Sequence, residues 1–500
     1  MFRAAFFWFL ASSVLTVAHS DCFTPAHQLT GIGVARSEIT PELLNERVKL
    51  MMDSQTFSIL RDPRAVMGAQ RVENPKLAKA FAAAERQSGL PASLIKAIAY
   101  LESFGDPTAQ SPTGPKGIMQ VSGATAKAMG LRMIYATKHR TTSEKKAVKN
   151  KRGKTVIKTV KQKTTYQILV RDERLVPERA IPAAASYLAR LQQNLGGLDW
   201  AIFAYHCGPG CVANMETLTE SAQGMRKPIT VAQMFFGASP AYNRDLYEAI
   251  HREMERDYSP TYYFRVKRAE QLLTLYREDQ PTFLELASYY RYEPDPSQRA
   301  QHRLAVWLKQ NDMLFQSCDD IKRDEGKRLA RIFDDPAFYG FRLNTDTIGA
   351  FDVANREYYL QATPAAIGTL TYIAFETRRL FDAMKPKGEQ FEPLEVTSLV
   401  RPMDSMGSAA GAAGTGPTEA LAHCSGQVFD LQYDHLPGGE REALQFVLDD
   451  MGWEGYLGFV EEAPNSGSMH IGCSPSSRAF FTEVYLEALG AKKAVIDMRN

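Results

Sequence analysis

The chain has little net charge. Its 500 residues carry 59 lysines and arginines against 57 aspartates and glutamates. So near a balance gives no global case for binding nucleic acid. Beyond residue 20 no apolar run is long enough to span a bilayer. No internal repeat marks a solenoid or propeller. Six cysteines are present, but no second Cys/His pair at zinc-finger spacing lies near Cys207 and Cys211, which argues against a zinc site there. The apolar fraction, 44%, is that of a globular protein rather than a disordered one. The length suggests about two to four domains, each able to bury its own core.

The first residues read as a targeting segment. Arg3 supplies a positive start, Ala4 to Val17 is apolar, and Ala18-His19-Ser20 offers small residues at the positions a signal peptidase reads. Residues 1–20 are expected to be a signal peptide, removed after Ser20, with no stable membrane insertion of what remains. His19-Ser20-Asp21 before Cys22 is a poor lipidation signal. A periplasmic or secreted protein meets an oxidising compartment, where its cysteines are disulfide candidates. Spacing cannot choose among the many connectivities. Cys207 with Cys211, and Cys424 with Cys473, are candidate pairs, which would leave Cys22 and Cys318 over.

Glu102 is the strongest catalytic candidate. The segment from Ala92 reads as a helix, with Ile95, Ile98 and Leu101 at the spacing of a buried face. Glu102 lies four residues after Ile98 and seven after Ile95, so it projects from that face. A partly desolvated carboxylate holds its proton to higher pH, as a general acid working near neutrality requires. A structural ion pair at a helix end is the competing reading.

Glu102-Ser103, followed by Ser111-Pro112-Thr113-Gly114-Pro115-Lys116-Gly117-Ile118-Met119-Gln120, resembles the E-S…S-x-x-G-x-x-G-L-M-Q signature of the soluble lytic transglycosylases. Ala185-Ser186-Tyr187-Leu188 is similar to that family's helix ending in Tyr-Leu. Ala204-Tyr205-His206-Cys207-Gly208-Pro209-Gly210 is similar to its A-Y-N-x-G-x-G segment, with His206 in place of the Asn. The resemblance implies a mostly helical, lysozyme-like domain that cleaves the β-1,4 bond between N-acetylmuramic acid and N-acetylglucosamine. It implies Glu102 as acid and then base, giving 1,6-anhydro ends. Ser103, Ser111, Gly117, Met119, Gln120, Tyr187 and Tyr205 would shape the cleft, and this domain would need no cofactor. A hydrolytic muramidase and a silent wall-binding scaffold are the rival readings.

A second constellation follows a change of character near Thr363. A helical stretch with Ile367, Leu370, Ile373 and Phe381 precedes a strand-like Leu394 to Arg401. Then come His423, Gly426, Asp430 and, later, His470. Two histidines and an aspartate make a chemically sensible catalytic zinc set, because such a zinc takes three protein ligands and keeps one position open. Gly426 offers the chain a turn between His423 and Asp430. This pattern resembles the zinc D-alanyl-D-alanine carboxypeptidases and dipeptidases over roughly residues 360–489. The resemblance implies a stem-peptide site with zinc on His423, Asp430 and His470, and with Arg401 on a substrate carboxylate. Two positions depart from it: Leu421 stands where the family has Ser, and Gly467 where many members carry a catalytic Glu. Glu461 and Glu462 are the nearby alternatives.

The expected fold class is multidomain, α plus α+β. Residues 21–74 form a leader, and 75–250 the lysozyme-like domain with a basic insertion at 138–163. Residues 251–345 form a helical spacer, and 346–500 an α+β domain with a small antiparallel sheet. The insertion reads as a solvated loop or short hairpin, because Thr155 to Val160 alternates. Attraction to anionic wall polymers or phospholipid heads is its functional reading. The expected partners are peptidoglycan glycan strands and stem peptides, and no nucleic acid.

Overall fold

Helix ends are written into the sequence by their caps. Asn74 accepts a hydrogen bond from the Lys76 amide at 2.9 Å, and Pro75 opens the helix Pro75–Ser88. Gly89 closes it in the left-handed conformation at φ +73°. The helix Pro177–Leu195 repeats the scheme, with Pro177 at its start and Gly196 at φ +72° after its end. These two helices pack on one another. A computed structural model describes residues 23–26, 40–149, 151–221, 229–238, 244–254, 261–290, 314–324, 326–384, 386–405, 422–461 and 466–499. The expected signal peptide, Cys22, Leu421 and Glu462 lie outside the described residues. The fold is mostly helical with small, largely antiparallel sheets. Among the described residues no helix is long and apolar enough to cross a membrane.

The chain divides into two compact units, Met67–Ala201 and Met1–Val66 with Ile202–Asn500. The first is built on the helices Pro75–Ser88, Ala92–Ser103 and Pro177–Leu195 around a core that includes Phe81, Leu94, Ile98, Tyr100 and Leu188. Its basic insertion is not short. Met133–Lys149 and Thr155–Asp172 pair antiparallel along their whole lengths, from Lys149 opposite Thr155 back to Met133 opposite Asp172. The Thr, Val, Ile and Tyr content of both segments supplies the propensity for a ribbon of that length.

The second unit carries a five-stranded sheet in the order Phe341–Leu343, Leu394–Ser398, Val428–Gln432, Ser468–Cys473, Leu457–Glu461. Its first pair runs parallel and the others antiparallel. The helix Pro364–Met384 packs against Arg478–Arg499 and Gly438–Trp453. Its approach to Arg478–Arg499 is so close that a Cβ at Gly368 would lie 1.8 Å from the Phe481 carbonyl oxygen. Only glycine permits that crossing.

The helices Pro41–Leu60 and Val231–Gly237 belong to this unit too, and two contacts bind them to the end of Gly438–Trp453. The Trp453 ring stacks on Phe235 at 4.1 Å, and its indole N–H donates to the Phe235 carbonyl at 2.9 Å. Arg47 pairs with Glu454 at 3.0 Å, both side chains almost wholly buried.

Glu440, in the first turn of Gly438–Trp453, is fully buried and accepts the Glu392 N–H at 2.8 Å. Burial, reinforced by the charges of Glu392 and Glu389, pushes its carboxyl up to about 7. The unfolded carboxyl ionises near 4.5, so the native state holds the extra proton between those values. Stability therefore falls as pH rises through that window, and the deficit persists above it. Glu440→Gln is expected to be more stable than wild type by about 1–3 kcal/mol near pH 8 and equal to it below about pH 4. Urea unfolding at the two pH values measures the difference.

Candidate functional site

The first candidate site lies in Met67–Ala201. The helix Ala92–Ser103 buries Leu94, Ile95, Ile98 and Tyr100. It ends because Phe104 turns left-handed at φ +50°, donating to the Tyr100 carbonyl at 2.8 Å, while Gly105 donates to Ala99 at 3.2 Å. Glu102 sits in that last turn, half-buried. Ser103, its neighbour, is buried, and its hydroxyl donates to the Ile118 carbonyl at 2.8 Å. One hydrogen bond thus pins the end of Glu102's helix to the Gly117–Gln120 loop.

That loop is tightly held. The Gly117 N–H donates to Ala109 O at 2.8 Å, and Gln120 folds back so that its amide nitrogen donates to Gly117 O at 2.8 Å. Lys116 and Val121 form a bridge across it. Gln120 itself is left-handed at φ +43°. Gly117, at φ +78°, presses on the backbone behind, where an added Cβ would lie 1.9 Å from the Arg174 carbonyl oxygen. Met119 is buried, and Ser111 sits on the half-buried flank, its hydroxyl 2.8 Å from that of Thr113.

Arg174 is the residue that inspection of the sequence overlooked. It is buried, and its guanidinium forks onto Asp172 at 2.7–3.2 Å. It also donates to the carbonyls of Val121 at 3.1 Å and Gly114 at 3.3 Å. Burial pushes the Asp172 carboxyl up, but the hydrogen bonds and charge of Arg174 outweigh it and leave the carboxyl below its ordinary value. The Asp-x-Arg spacing at a strand end was the available signal. Tyr187, on Pro177–Leu195, is half-buried, which raises its phenol's pKa, and Arg190 lies 5.8 Å over its ring.

Tyr205 and His206 belong to the other unit, near the end of the helix Leu198–Cys207. His206, which departs from the resemblance, stacks on Tyr262 at 4.4 Å with the planes 11° apart. Among the described residues neither candidate pair, Cys207 with Cys211 or Cys424 with Cys473, is bridged. Cys207, Cys211, Cys318, Cys424 and Cys473 stand as thiols. Cys207 and Cys211 are joined instead by a side-chain hydrogen bond, the largest influence on the lowered pKa of Cys211. Cys424 is buried, which pushes its thiol up to about 12 and makes it unreactive.

The second candidate site lies on the five-stranded sheet. Register pairs Asp430 with His470 across two central strands, and Ser398 with Asp430 on the other side. Gly426, at φ +69°, makes the turn that returns the chain from His423 to that strand. Its N–H donates to the His423 carbonyl at 3.0 Å. His423, Asp430 and His470 are all buried, with their donor atoms within 4.8 Å of one another. His423 Nε2 and His470 Nδ1 lie 3.1 and 2.9 Å from the same carboxylate oxygen, Asp430 Oδ1. His423 Nδ1 lies 2.7 Å from the Leu399 carbonyl. Burial lowers the pKa of His423 despite Asp430, and the two histidines hold the Asp430 carboxyl well below its ordinary value despite burial. His470 Nε2 is buried and makes no hydrogen bond among the described residues. Arg401 stands beside the trio, 3.8 Å from Asp430 Oδ2.

The catalytic glutamate of the second resemblance has no counterpart at residue 467. A Cβ at Gly467 would meet Asp434 Cβ at 2.5 Å and its Oδ2 at 3.1 Å. Glu461, an alternative from the sequence, accepts a hydrogen bond from the Tyr433 hydroxyl at 2.8 Å.

The class of the first unit's site comes from comparison. Residues 79–150 and 154–226 match the Transglycosylase SLT domain. Membrane-bound lytic murein transglycosylase F 2 of Alkalilimnicola ehrlichii is 40% identical over 70 residues, 14% of this chain and 16% of that protein. Peptidoglycan transglycosylase gp16 of Escherichia phage T7 is 33% identical over 135 residues, covering 27% of this chain and 8% of that protein. Membrane-bound lytic murein transglycosylase F of Alcanivorax borkumensis is 26% identical over 181 residues, 32% of this chain and 30% of that protein. The chain spans less than a third of the length of any of these relatives.

Arg174→Ala removes one partner of a buried ion pair and two loop contacts. It is expected to destabilise the protein by about 3–5 kcal/mol. Denaturant unfolding measures this, and Arg174→Lys, which cannot make the forked contact, is expected to recover only part of the loss.

Proposed function

We propose that this protein cleaves the glycan strands of peptidoglycan at the β-1,4 bond between N-acetylmuramic acid and N-acetylglucosamine. The observation that carries the reading is Glu102. It is a half-buried carboxylate in the last turn of its helix, tied through Ser103 to the Gly117–Gln120 loop, within a segment matching the SLT transglycosylase domain. Glu102 protonates the bridging oxygen as the bond from the muramyl C1 breaks. The resulting carboxylate then takes the proton of the muramyl 6-hydroxyl, whose oxygen bonds to C1 and closes a 1,6-anhydro ring. The proton moves out and back, so one carboxylate serves both steps. This differs from the two-carboxylate scheme of most glycosidases. Gln120, Met119 and Tyr187 shape the cleft on this unit.

Glu102→Gln keeps the size of the side chain and removes the transferable proton. It is expected to lower the rate of murein solubilisation by at least about a hundredfold, the lower range of general acid–base contributions. An unaltered rate would remove Glu102 from the mechanism. Product masses read the chemistry, because anhydro ends lack one water relative to the reducing ends a hydrolase would leave.

The second site is proposed to hold zinc on His423 Nε2, Asp430 Oδ1 and His470 Nδ1. The donor set fits. A neutral imidazole has one proton, and His423 places Nδ1 against the Leu399 carbonyl, which claims that proton. Its Nε2 lone pair then faces a carboxylate oxygen 3.1 Å away, an arrangement that a cation between them relieves. The Leu399 contact is also the outer-shell partner that orients a ligating histidine. A bound zinc would supply a Lewis-acid centre there. Arg401 would hold a carboxylate of the stem peptide, the second element of the same polymer. The space at Gly467 is filled by Asp434, so we assign this site stem-peptide binding and derive no peptide cleavage from it. Purified wild type is expected to carry about one zinc per chain and His423→Ala much less. Equal metal content in both proteins would refute the site.

A further inference from the structure

The ribbon Met133–Lys149/Thr155–Asp172 takes no part in the chemistry above, yet it is the most unusual surface of the molecule. Seventeen paired positions at about 3.3 Å each give an arm of about 55 Å. Two strands alone are marginal in water, and this pair buries little. From Thr137 to Lys163 its described residues are exposed on both faces, and Ile157 near the tip is 73% exposed.

Its charge is of one sign. Between Met133 and Asp172 stand twelve lysines and arginines and only two acids, while the whole chain carries a net charge of +2. The rest of the protein is therefore net acidic, and the positive charge is concentrated on the arm. Lysines on open strand edges also deter edge-to-edge pairing, but charges of mixed sign serve solubility as well. A single-sign field is what an anionic partner selects.

The register shows how the charges are laid out. Lys149, Lys145, Lys161 and Lys163 share one face with Thr155, Ala147, Thr159, Ser143 and Thr141, with no acid among them. Lys138, Arg140 and Lys146 lie on the opposite face, and Lys151, Arg152 and Lys154 at the tip. A flat bilayer would meet one face or the tip. Cations on both faces and the tip suit a flexible polyanion or an open anionic mesh that surrounds the arm.

The arm's root gives it a place in the reaction. Its second strand ends at Asp172, the partner of Arg174. Arg174 holds the loop over Gly117, and Glu173 ties Arg132, at the start of the first strand, through hydrogen bonds of 3.0–3.2 Å. The arm therefore grows out of the scaffold that positions the loop beside Ser103.

We propose that the ribbon is a docking arm for the carboxylate-bearing stem peptides of peptidoglycan, holding the mesh beside the cleft by charge. The proposal rests on peptidoglycan being the substrate. Binding is measured with the full chain carrying Glu102→Gln, so that turnover does not intrude, on isolated insoluble sacculi. A second portion of sacculi has its carboxylates converted to amides. Lys145→Gln/Lys149→Gln/Lys161→Gln/Lys163→Gln empties one face of charge, and Lys138→Gln/Arg140→Gln/Lys146→Gln removes three cations from the other. Circular dichroism and thermal unfolding establish that the variants are folded.

Each variant is expected to bind native sacculi at least about tenfold more weakly at low ionic strength. Added salt should shrink that gap, as screening requires, and amidated sacculi should bind wild type as weakly as native sacculi bind the variants. Unchanged affinity of both variants for native sacculi would overturn the proposal, with increased self-association then marking the lysines as edge guards. Tighter binding of wild type to phosphatidylglycerol vesicles or duplex DNA than to sacculi would overturn it in favour of those partners. The result is separable from the proposed chemistry: glycan cleavage that survives Glu102→Gln sinks the catalytic assignment and leaves these affinities readable.

Discussion

The buried pair of Arg174 and Asp172 is the constraint on which the first site depends. A guanidinium is planar and keeps its charge, so once removed from water it must find several oxygens at fixed angles. Arg174 finds both carboxylate oxygens of Asp172 and the carbonyls of Gly114 and Val121. Those carbonyls bracket the loop that carries Gly117, Met119 and Gln120. The Arg174 carbonyl presses so near Gly117 that no side chain fits. Loop, helix end and ribbon root are thereby held as one body, and the half-buried Glu102 inherits its place from that body.

Asp430 has the same organising part in the second unit. It is wholly buried in the centre of a sheet, with His423 spanning both of its oxygens, His470 on one and Arg401 beyond the other. A buried carboxylate is tolerated only when charge or hydrogen bonds compensate it. Here the compensation comes from three chain segments that the sheet brings together. The two sites thus share a logic: a costly buried charge is satisfied by distant parts of the chain, and functional geometry follows from how it is satisfied.

Much of the first site was legible in the chain itself. The periodicity of Ile95, Ile98 and Leu101, and the Gly117–Gln120 run, located a helix end and a tight loop. Local chemistry decides such features, through helix spacing, left-handed glycine and capping. Arg174 escaped because its role is written in backbone carbonyls about fifty to sixty residues away in sequence. No side-chain pattern encodes which carbonyls a guanidinium will meet. The ribbon was legible as an alternating basic stretch, but its length was not. Alternation sets a strand's preference, whereas the pairing partner sets its extent. The cysteines show the opposite failure. Their places beside the motifs made two pairs candidates, yet Cys424 and Cys473 are packed in as buried thiols, and Cys207 and Cys211 share a hydrogen bond.

By itself, the sequence determined the helical character of the chain, the identity of the candidate carboxylate, the histidine–aspartate–histidine set and the concentration of positive charge between Met133 and Asp172. These are properties of residue type and spacing, which act over a few turns of chain. Only the tertiary structure decided that Ser103 would tie Glu102's helix to its loop and that His423 would spend its Nδ1 on Leu399. It alone decided that Asp434 would occupy the space beside Gly467, and that the basic stretch would stand out as a long paired arm. Each of those outcomes depends on contacts between segments far apart in sequence, where burial and hydrogen-bond satisfaction, rather than local preference, choose among the arrangements the chain allows.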